Sequence, residues 1–585
     1  MMNQKASDIN QVWANMMVEE LRRHGIEQFV LSPGSRCSPL TIAAARSKTA
    51  RVTTHFDERG AAFFALGEAG ATGRPSVLVC TSGTATANYY PAVVEASMDM
   101  IPMIILTADR PSYLRNTGAN QTIDQVELYG RYVRFFHDLP CPDEKSSPKS
   151  LLTVLDEAVR LATRTPRGPV QINCQFDEPL APTDPERDFG DYLSGVENWL
   201  KGSQPYLSVE REKNPDPDNI EAAVSSINGA EFGILVVGKL ETDDDIQAAK
   251  DLAEQLNWPV VADIRSGLRL GPACRNLMAY FDQLLLSESY QSMRVPVIVH
   301  LGGVVASKRL NQYFKQRQCE HHIHVVDHPF RLDPNDAVTE RIEGGIAGFC
   351  RAMTTRISSK SDSGKLDELR RANDKAGETI DRFGEDHEGL TEFAVSRIVS
   401  TNVRAGEGLF LGSSMPIRDM DMYGEPSGPT VRVIANRGAS GIDGSIATAA
   451  GYAAGSGETV TAIIGDLAML HDLNSLALLR GSTTPVILIV INNNGGGIFS
   501  FLPVAGCRDV FETYFGTPHG LSFEKTASMF GLGYFRPDSK QSFVDMLRQA
   551  QASEKSSIIE VVTDREKNHA AHLKLQDEIK GAIES

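Results

Sequence analysis

The sequence predicts an α/β protein built from three doubly wound parallel sheets. Short β-branched runs alternate with longer helical stretches along the chain, and the runs open into Gly, Ser, Thr or Asp. A buried parallel strand has this character, because both of its faces are covered and it ends in a loop. The chain has 585 residues, which is too long for one hydrophobic core and favours several domains.

The runs group into three blocks. Residues 1–185 contain QFVL, SVLVC, MIILTAD and VQINC, and we expect an N-terminal domain there. Residues 186–229 are rich in Pro, Asp, Glu and Ser, which indicates a linker. Residues 230–356 contain FGILVV, PVVAD, PVIVHL and HIHVV and predict a central domain, followed by a polar linker helix at 357–388. Residues 389–585 contain GLFL, VRVI, VTAII, PVILIVIN and SIIEVV and predict a C-terminal domain.

The composition limits the kinds of partner. The chain has 58 Lys and Arg against 75 Asp and Glu, a formal net charge of −17, which argues against nucleic acid or an anionic membrane as the main partner. An anionic substrate therefore requires a local basic pocket. The cysteines are scattered singly, the first segment does not resemble a secretory signal, and no apolar run reaches the length of a membrane span. We expect a cytoplasmic protein.

Two predicted strand ends carry hard oxygen ligands. Asp466 follows VTAIIG, and Asn493 follows PVILIVIN, about one strand–helix–strand crossover later, with the crossover helix placed in HDLNSLALLRG. Neighbouring parallel strands end at one edge, so the carboxylate and the amide oxygen can share a Mg²⁺ ion, with a backbone carbonyl such as that of Gly495 as a third ligand. Either motif alone indicates an ordinary Asx turn, but the two together favour a metal–diphosphate site.

With this motif the sequence resembles the thiamine-diphosphate enzymes. The segments LSPGSRCSPLTIAA, THFDERGAAFFALG, TSGTATANYYPAVVEA, LTADRP, GANQTIDQ, NRGASGIDG and NNNGGGIFSFLP resemble, as a set, the branch of that family that joins 2-oxoglutarate to isochorismate in menaquinone biosynthesis. The usual GDG reads GDL here, because Leu467 follows Asp466. The resemblance implies a transferase that uses thiamine diphosphate and Mg²⁺, with Mn²⁺ as the alternative metal. It also implies a homodimer or a dimer of dimers, whose domains meet across a subunit interface.

The resemblance implies roles at the cofactor. Glu58 is implied as the carboxylate that hydrogen-bonds the aminopyrimidine ring and starts a proton relay. Ile442 is implied as the apolar residue that keeps the cofactor bent, and Phe499 as a wall beside the reacting carbon. The implied diphosphate and metal site consists of Gly465, Asp466, Asn493 and Gly495. From the residues alone, Glu58 also suits a helix N-terminus, and Ile442 and Phe499 also suit a core.

A polar and basic set is implied for the substrates. The residues implied at the catalytic centre are Ser35, Arg36, Asn120, Gln121, Ser414, Arg418 and Arg437, and the further carboxylate binders are Arg110, Lys308 and Arg309. Arginine binds carboxylates bidentately, and several carboxylates require several such groups. Met415 and Pro416 depart from the β-branched residues expected between Ser414 and Arg418. Taken alone, these arginines also suit surface turns, Asn120 and Gln121 a polar loop, and Lys308 and Arg309 a solvated helix start.

Several alternatives stay open. Another thiamine-diphosphate-dependent 2-oxo acid decarboxylase, or an acetohydroxyacid-type synthase, shares Glu58 and the metal site but needs no arginine set. A nucleotide-dependent oxidoreductase or flavoprotein would use the central domain, where no GxGxxG follows a strand. A non-catalytic binding module has no need of the relay acid. The histidines of HHIHVVDH lack zinc-ligand spacing, and we expect no metal at His321, His322, His324 and His328.

Overall fold

The fold consists of three parallel sheets with helices between the strands. The computed structural model describes residues 4–183, 185–207, 220–272, 274–316, 319–360, 364–387 and 389–585. Within these ranges the sheets have six, five and six strands, and one small antiparallel pair is added. The predicted α/β class with three doubly wound parallel sheets is confirmed. No helix in these ranges combines the length and the apolar character that a membrane crossing requires.

The first sheet is built from the N-terminal strands and helices. The strands are β1 (Lys5–Ala6), β2 (Gln28–Leu31), β3 (Arg51–Thr54), β4 (Ser76–Cys80), β5 (Met103–Asp109), β6 (Phe136–Leu139), β7 (Pro169–Gln175) and β8 (Arg187–Asp188). The helices are α1 (Ile9–Arg23), α2 (Ser38–Arg46), α3 (Glu58–Thr72), α4 (Thr84–Asn88), α5 (Tyr90–Met98), α6 (Pro148–Thr163), α7 (Gly190–Leu193) and α8 (Glu197–Lys201). The strand order is β3-β2-β4-β5-β7-β6, and every neighbouring pair is parallel.

The second sheet is the five-stranded one. Its strands are β9 (Gly233–Val237), β10 (Val260–Ala262), β11 (Val297–Leu301), β12 (His321–Val326) and β13 (Glu340–Glu343), in the parallel order β10-β9-β11-β12-β13. The helices of this part are α9 (Glu221–Gly229), α10 (Asp243–Leu256), α11 (Phe281–Leu284), α12 (Glu288–Gln291), α13 (Lys308–Gln316), α14 (Ile346–Arg356) and α15 (Gly364–Asp386).

The third sheet carries the predicted metal motif. Its strands are β14 (Gly408–Leu411), β15 (Arg432–Ile434), β16 (Val460–Gly465), β17 (Val486–Asn492), β18 (Gly533–Phe535) and β19 (Ser557–Val562), in the parallel order β15-β14-β16-β17-β19-β18. The helices are α16 (Glu392–Asn402), α17 (Met415–Tyr423), α18 (Ser445–Ser456), α19 (Asp466–His471), α20 (Leu476–Leu479), α21 (Arg508–Phe511), α22 (Glu524–Phe530), α23 (Lys540–Gln551) and α24 (Arg565–Glu584).

The crossover helix predicted between β16 and β17 is broken. Helix α19 ends at His471, a 3₁₀ turn covers Leu473–Ser475, and α20 begins at Leu476. The side chains of Asp472 and Asn474 at this break make hydrogen bonds with other parts of the first unit, and they thereby compete with a continuous helix.

The chain divides into two compact units that do not follow the three sheets. The first unit comprises Met1–Glu212, Asn436–Gly457 and Leu470–Thr484. The second comprises Lys213–Ala435, Glu458–Met469 and Pro485–Ser585. Two segments of the predicted C-terminal domain thus belong to the unit of the first sheet.

The predicted linkers are partly folded. In 186–229, β8 pairs with β1 and the indole Nε1 of Trp199 donates to Glu20, so this part of the segment packs on the first unit. Residues 208–219 of that prediction lie outside the described residues. In the predicted linker helix at 357–388, α15 covers Gly364–Asp386, and residues 361–363 and 388 lie outside the described residues.

Within the first unit, α3 and α18 pack closely in parallel. A Cβ added to Gly67 of α3 would lie 2.1 Å from the carbonyl oxygen of Thr448, and one added to Gly451 of α18 would lie 2.0 Å from that of Phe64. Glycine at these positions lets the two backbones touch. Near the start of both helices a Cβ on Gly444 would lie 1.9 Å from Cγ of Phe63, and near their ends a Cβ on Gly455 would lie 2.9 Å from Cβ of Ala71, so the contacts advance together along both helices. The two helices therefore begin at the same end.

Candidate active site

Predicted site residues of the first unit lie where its strands end. Arg36 follows β2, Glu58 follows β3 and Arg110 follows β5. In an open parallel sheet this edge is where ligands bind. Arg36 donates from Nη1 to the carbonyl of Phe176 at 2.9 Å, and its buried Nε has no hydrogen-bond partner in the described part of the chain. Its Nη2 lies 3.6 Å from Oε1 of Glu178, so Nε is the donor of this guanidinium that is left for a ligand.

Arg110 extends this basic edge. Its Nη1 donates to the carbonyl of Gln121 at 2.7 Å and also contacts the hydroxyl of Ser82. Burial, and then the positive charge of Arg36, lowers the pKa of Arg110. Two guanidinium groups close enough to repel each other favour an anion between or beside them.

The neutral predicted residues surround the same edge. Gln121 donates from Nε2 to the carbonyl of Ser82 at 2.9 Å, and its φ of +54° is in the left-handed region. Ser35 and Asn120 are exposed in the neighbouring loops. The structure therefore places Arg36, Arg110 and Gln121 together, with Ser35 and Asn120 in adjoining loop positions.

Glu58 is the first residue of α3 and is half-buried. The helix is capped by Asp57, whose Oδ1 accepts from the N–H of Arg59 at 3.0 Å. Burial raises the pKa of the Cys37 thiol, and the charge of Glu58 adds to this effect. Glu58 therefore lies near enough to Cys37, the residue after Arg36, for its charge to act on the thiol. It belongs to the same edge of the first sheet as Arg36.

Arg437 and Ile442 also belong to the first unit. They are half-buried in the loop before α18. The backbone N–H of Gly438 and that of Ala439 each donate to the carboxylate of Glu95 at 2.6 Å. This contact fixes the beginning of the loop.

In the second unit, Asp466 and Asn493 stand at the ends of β16 and β17, which pair in parallel. Both side chains are buried. The N–H of Gly495 donates to Asp466 Oδ2 at 2.9 Å, which brings the glycine loop against the carboxylate. A Cβ at Gly495 would lie 1.9 Å from the carbonyl of Gly516, so only glycine fits there.

The orientation of Asn493 suits a cation. Its Nδ2 donates to Glu392 Oε1 at 2.9 Å, while its buried Oδ1 has no hydrogen-bond partner among the described residues. An orphaned buried amide oxygen beside a carboxylate at the next strand end is the ligand type that Mg²⁺ takes, and the residues present fit a divalent cation.

Two supporting residues, Glu392 and His519, have no local sequence motif that predicts them. Glu392 lies in α16, about a hundred positions before Asn493, and also accepts from Thr563 Oγ1 at 3.1 Å. Burial raises the pKa of Glu392. His519 accepts at Nδ1 from the N–H of Leu521, so its neutral ring carries the proton on Nε2, which lies 3.1 Å from Asp466 Oδ2 and donates to it.

Four further predicted residues of the second unit lie in three different places: Ser414 and Arg418 at the start of α17, Gly465 at the end of β16, and Phe499 in the loop after β17. Ser414 precedes α17 with φ +76°, and Arg418 donates to its carbonyl. Burial lowers the pKa of Arg418. Gly465 ends β16, and Phe499 packs edge-on against Phe515 with ring centroids 5.6 Å apart.

Lys308 and Arg309 differ from each other. Lys308 is exposed at the start of α13. Arg309 donates from Nη1 to Asp282 at 2.6 Å and from Nη2 to Gln576 at 2.9 Å. These contacts engage the guanidinium of Arg309 within the second unit, so its setting differs from the solvated helix start that the sequence leaves open beside the carboxylate-binding role.

Known proteins resemble this chain in sequence and in fold. Three family models match the chain: the N-terminal TPP binding domain of thiamine pyrophosphate enzymes at residues 12–128, the middle domain of thiamine pyrophosphate enzymes at 190–411, and the C-terminal TPP binding domain at 425–561. An X-ray structure of a protein from Mycobacterium smegmatis, assigned as a thiamin diphosphate-dependent enzyme, has the same fold. It has a TM-score of 0.71 and 18% identity over 94% of this chain and 99% of that chain.

Two curated relatives match almost end to end. One from Rubrobacter xylanophilus is 45% identical over 97% of this chain and 98% of its own length, and one from Prosthecochloris aestuarii is 42% identical over 99% and 98%. Both are named 2-succinyl-5-enolpyruvyl-6-hydroxy-3-cyclohexene-1-carboxylate synthase.

Proposed function

We propose a specific reaction from one premise: the chain belongs to the family of 2-succinyl-5-enolpyruvyl-6-hydroxy-3-cyclohexene-1-carboxylate synthases among the thiamine-pyrophosphate enzymes. The reaction is the decarboxylation of 2-oxoglutarate and the conjugate addition of the remaining four-carbon unit to the ring double bond of isochorismate. Carbon dioxide leaves, one carbon–carbon bond forms, and the product keeps its enolpyruvyl group.

The observation that carries this proposal is the position of Asp466 and Asn493 at adjacent strand ends, where Oδ1 of Asn493 has no hydrogen-bond partner among the described residues. This pair, with the backbone of Gly495 and the strand end at Gly465, would hold the divalent cation and the diphosphate. Mg²⁺ is the proposed metal, with Mn²⁺ as the alternative. Thiamine diphosphate, when bound, supplies the electron sink that makes loss of carbon dioxide feasible.

Three residues of this chain are proposed to act on the cofactor. Glu58 holds a proton at its carboxyl group toward the aminopyrimidine nitrogen, which sets the tautomer of that ring. Ile442 is proposed as the apolar residue that keeps the cofactor bent, and Phe499 as an apolar wall beside the reacting carbon. In our proposal these three residues act on the cofactor, and the polar set acts on the substrates.

The basic set binds carboxylates. Arg36 and Arg110 form one cationic group with Gln121, and Arg418 and Arg437 are proposed as further binders, with Lys308 as an outer one. Ser35, Asn120 and Ser414 offer neutral hydrogen bonds beside them. In a protein with net charge −17, such a group concentrates dianionic substrates that the global field repels.

We propose a cytoplasmic homo-oligomer, a dimer or a dimer of dimers. Glu58 belongs to the first unit and Asp466 to the second. The resemblance to thiamine-diphosphate enzymes implies that a complete cofactor site takes these two parts from different subunits. A sedimentation measurement on the purified protein checks the oligomer.

The alternatives are less well supported. An acetohydroxyacid-type synthase uses a simpler acceptor and needs no pair of adjacent arginines. A flavoprotein would use the crevice between β9 and β11, where the strand order changes direction. There a Cβ on Gly238 would lie 1.7 Å from the carbonyl oxygen of Gly303, so the loops that follow these two strands are in direct contact.

The test follows isochorismate absorbance in the presence of thiamine diphosphate, Mg²⁺ and 2-oxoglutarate, with the Glu58→Gln variant as the comparison. We expect loss of isochorismate that requires both the cofactor and Glu58. Decarboxylation of 2-oxoglutarate with isochorismate left intact would refute the acceptor and retain the cofactor.

A further inference from the structure

The N-terminus of α18 has no capping side chain of its own. Its N-cap is Gly444 with φ +65°, and a Cβ there would lie 1.9 Å from Cγ of Phe63, so this position has no room for a side chain. The first N–H groups of a helix need acceptors from elsewhere. Asp472 provides them: its Oδ2 accepts from the N–H of Ile446 at 2.8 Å and from that of Ala447 at 3.0 Å.

Asp472 is held in place for this contact. Its side chain is 1% exposed, and its Oδ1 accepts from the hydroxyl of Ser475 at 2.7 Å. It lies at the break between α19 and α20, in the turn formed by residues 471–475. A charged acceptor at a helix N-terminus also interacts favourably with the helix dipole.

The same turn contacts the beginning of α3. Asn474 Nδ2 donates to Asp57 Oδ2 at 3.0 Å, and Asp57 in turn caps α3. Arg59 Nη2 donates to the carbonyl of His471 at 2.6 Å. Turn 471–475 therefore contacts the N-terminal ends of two helices that run in parallel and begin at the same end.

Each of these helix ends carries a residue of the proposed site. Glu58 is the first residue of α3. Ile442 precedes α18, and its carbonyl accepts from the hydroxyl of Ser445 at 3.2 Å. Asp472 thus holds the N–H of Ile446, and the preceding residue, Ser445, holds the backbone carbonyl of Ile442.

We propose that Asp472 is a positioning residue: turn 471–475 fixes the start of α18, and with it Ile442, relative to Glu58 at the start of α3. Asp472 itself acts only through the residues it holds. The inference rests on the proposed function, since the roles of Glu58 and Ile442 at the cofactor come from there.

The first part of the test uses the protein without cofactor. Asp472→Ala removes the oxygen that accepts from both N–H groups, whereas Asp472→Asn keeps an oxygen for them and is the conservative variant. Hydrogen–deuterium exchange, read by mass spectrometry on peptides spanning 440–450, is expected to accelerate about tenfold in Asp472→Ala and to return near the native rate in Asp472→Asn. Ser475→Ala, which leaves Oδ2 untouched, is the matched control and should stay near the native rate.

The second part uses added thiamine diphosphate and Mg²⁺ and no substrate. The Kd for the cofactor is followed by protein fluorescence, and exchange of the thiazolium proton with D₂O is followed by NMR after acid quench. For Asp472→Ala we expect a proton exchange rate lowered about tenfold or more, with recovery in Asp472→Asn. A change in melting temperature alone does not produce this pattern.

The outcomes separate the two proposals. If amide exchange is faster in Asp472→Ala but the thiazolium proton exchanges at the native rate, the positioning role is overturned and Asp472 is only a helix cap. Unchanged amide exchange would overturn the capping contact itself. Failure of the native protein to bind thiamine diphosphate would instead refute the proposed function, and the amide-exchange result would still stand. Glu58→Gln should lose proton exchange and keep native amide exchange.

Discussion

Glu392 holds the side-chain amide of Asn493 through a hydrogen bond of 2.9 Å, so that the opposite atom, the buried Oδ1, has no partner in the described part of the chain. The amide of asparagine can be turned over without changing its shape, and only its neighbours decide which atom faces a ligand. Glu392 makes that decision here. Because Glu392 holds the NH₂ group of Asn493, the amide oxygen and not the NH₂ group is left for a ligand beside Asp466.

Glu392→Ala should therefore weaken the metal site without removing a metal ligand. The amide of Asn493 becomes free to rotate, and we expect the Kd for Mg²⁺ to rise about 10–100-fold, as for other residues that orient metal ligands. Titration of Mg²⁺ against cofactor-dependent fluorescence measures it. Thr563→Val removes the other hydrogen bond to Glu392 and serves as the control, with a smaller effect expected. An unchanged Kd in Glu392→Ala would show that the amide is oriented by something else.

Arg36→Met should impair substrate capture. The loss of a charge-assisted contact costs about 1.5–3 kcal/mol, so kcat/KM for the carboxylate substrates should fall about 10–100-fold. Arg36→Lys restores the charge but not the bidentate geometry and should recover only part of the loss. Arg46→Met, at an exposed arginine of the same unit, is the control. Equal effects of Arg36→Met and Arg46→Met on kcat/KM would contradict a specific site.

Gly67→Ala should destabilise the first unit. A methyl group there meets the carbonyl of Thr448 at 2.1 Å, and forcing the helices apart costs about 1–3 kcal/mol. Gly70 of the same helix is exposed, and its Cβ would meet only Ile101 at 3.9 Å. Gly70→Ala should therefore stabilise by about 0.5–1 kcal/mol through better helix propensity. Thermal unfolding of both variants measures the difference, and a Gly67→Ala protein as stable as the native one would refute the close helix contact.

The stability of the first unit should depend on pH through Glu20. Burial, and then the neighbouring Asp156, raises the pKa of Glu20 from 4.5 to about 8. Between these two values the folded state holds a proton that the unfolded chain releases. Stability is therefore fully present below the lower value and falls as pH rises toward the upper one, by at most about 1.4 kcal/mol per pH unit.

Glu20→Gln imitates the protonated side chain and should flatten this slope between about pH 5 and 8. Thermal unfolding at several pH values measures it. Glu19→Gln is the matched control, because hydrogen bonds and ion pairs with Arg22 and Arg23 outweigh burial and lower the pKa of Glu19, which places its effect below this range. The same slope in Glu20→Gln as in the native protein would mean that another group titrates.

The sequence was sufficient for the parts of the fold in which pattern and burial coincide. Strand β17 is buried at all seven positions, and its apolar run predicts it directly. Because adjacent parallel strands end at one edge, the meeting of Asp466 and Asn493 follows from topology alone. By contrast, β3 is mostly exposed and reads RVTT, so it has no apolar run to detect.

Other features could not be predicted because the partners are distant in sequence. Glu392 and His519 contact the metal motif from far along the chain, and neither has a local motif. The segment HDLNSLALLRG has the composition of a helix, but Asp472 and Asn474 satisfy groups on α18 and α3 instead of continuing it. The linker prediction at 186–229 rests on polar composition. Composition does not predict a long-range contact such as the hydrogen bond from Trp199 to Glu20.

The most direct measurement of the central claim is mass spectrometry of the product formed from isochorismate and 2-oxoglutarate labelled with ¹³C at carbon 1, with thiamine diphosphate and Mg²⁺ present. We predict an adduct with the summed mass of the two substrates less carbon dioxide, no label in the adduct, and all of the label in the released gas. The adduct should be absent with Glu58→Gln. Labelled carbon dioxide without any adduct, or an adduct that forms equally well without Glu58, would contradict the account.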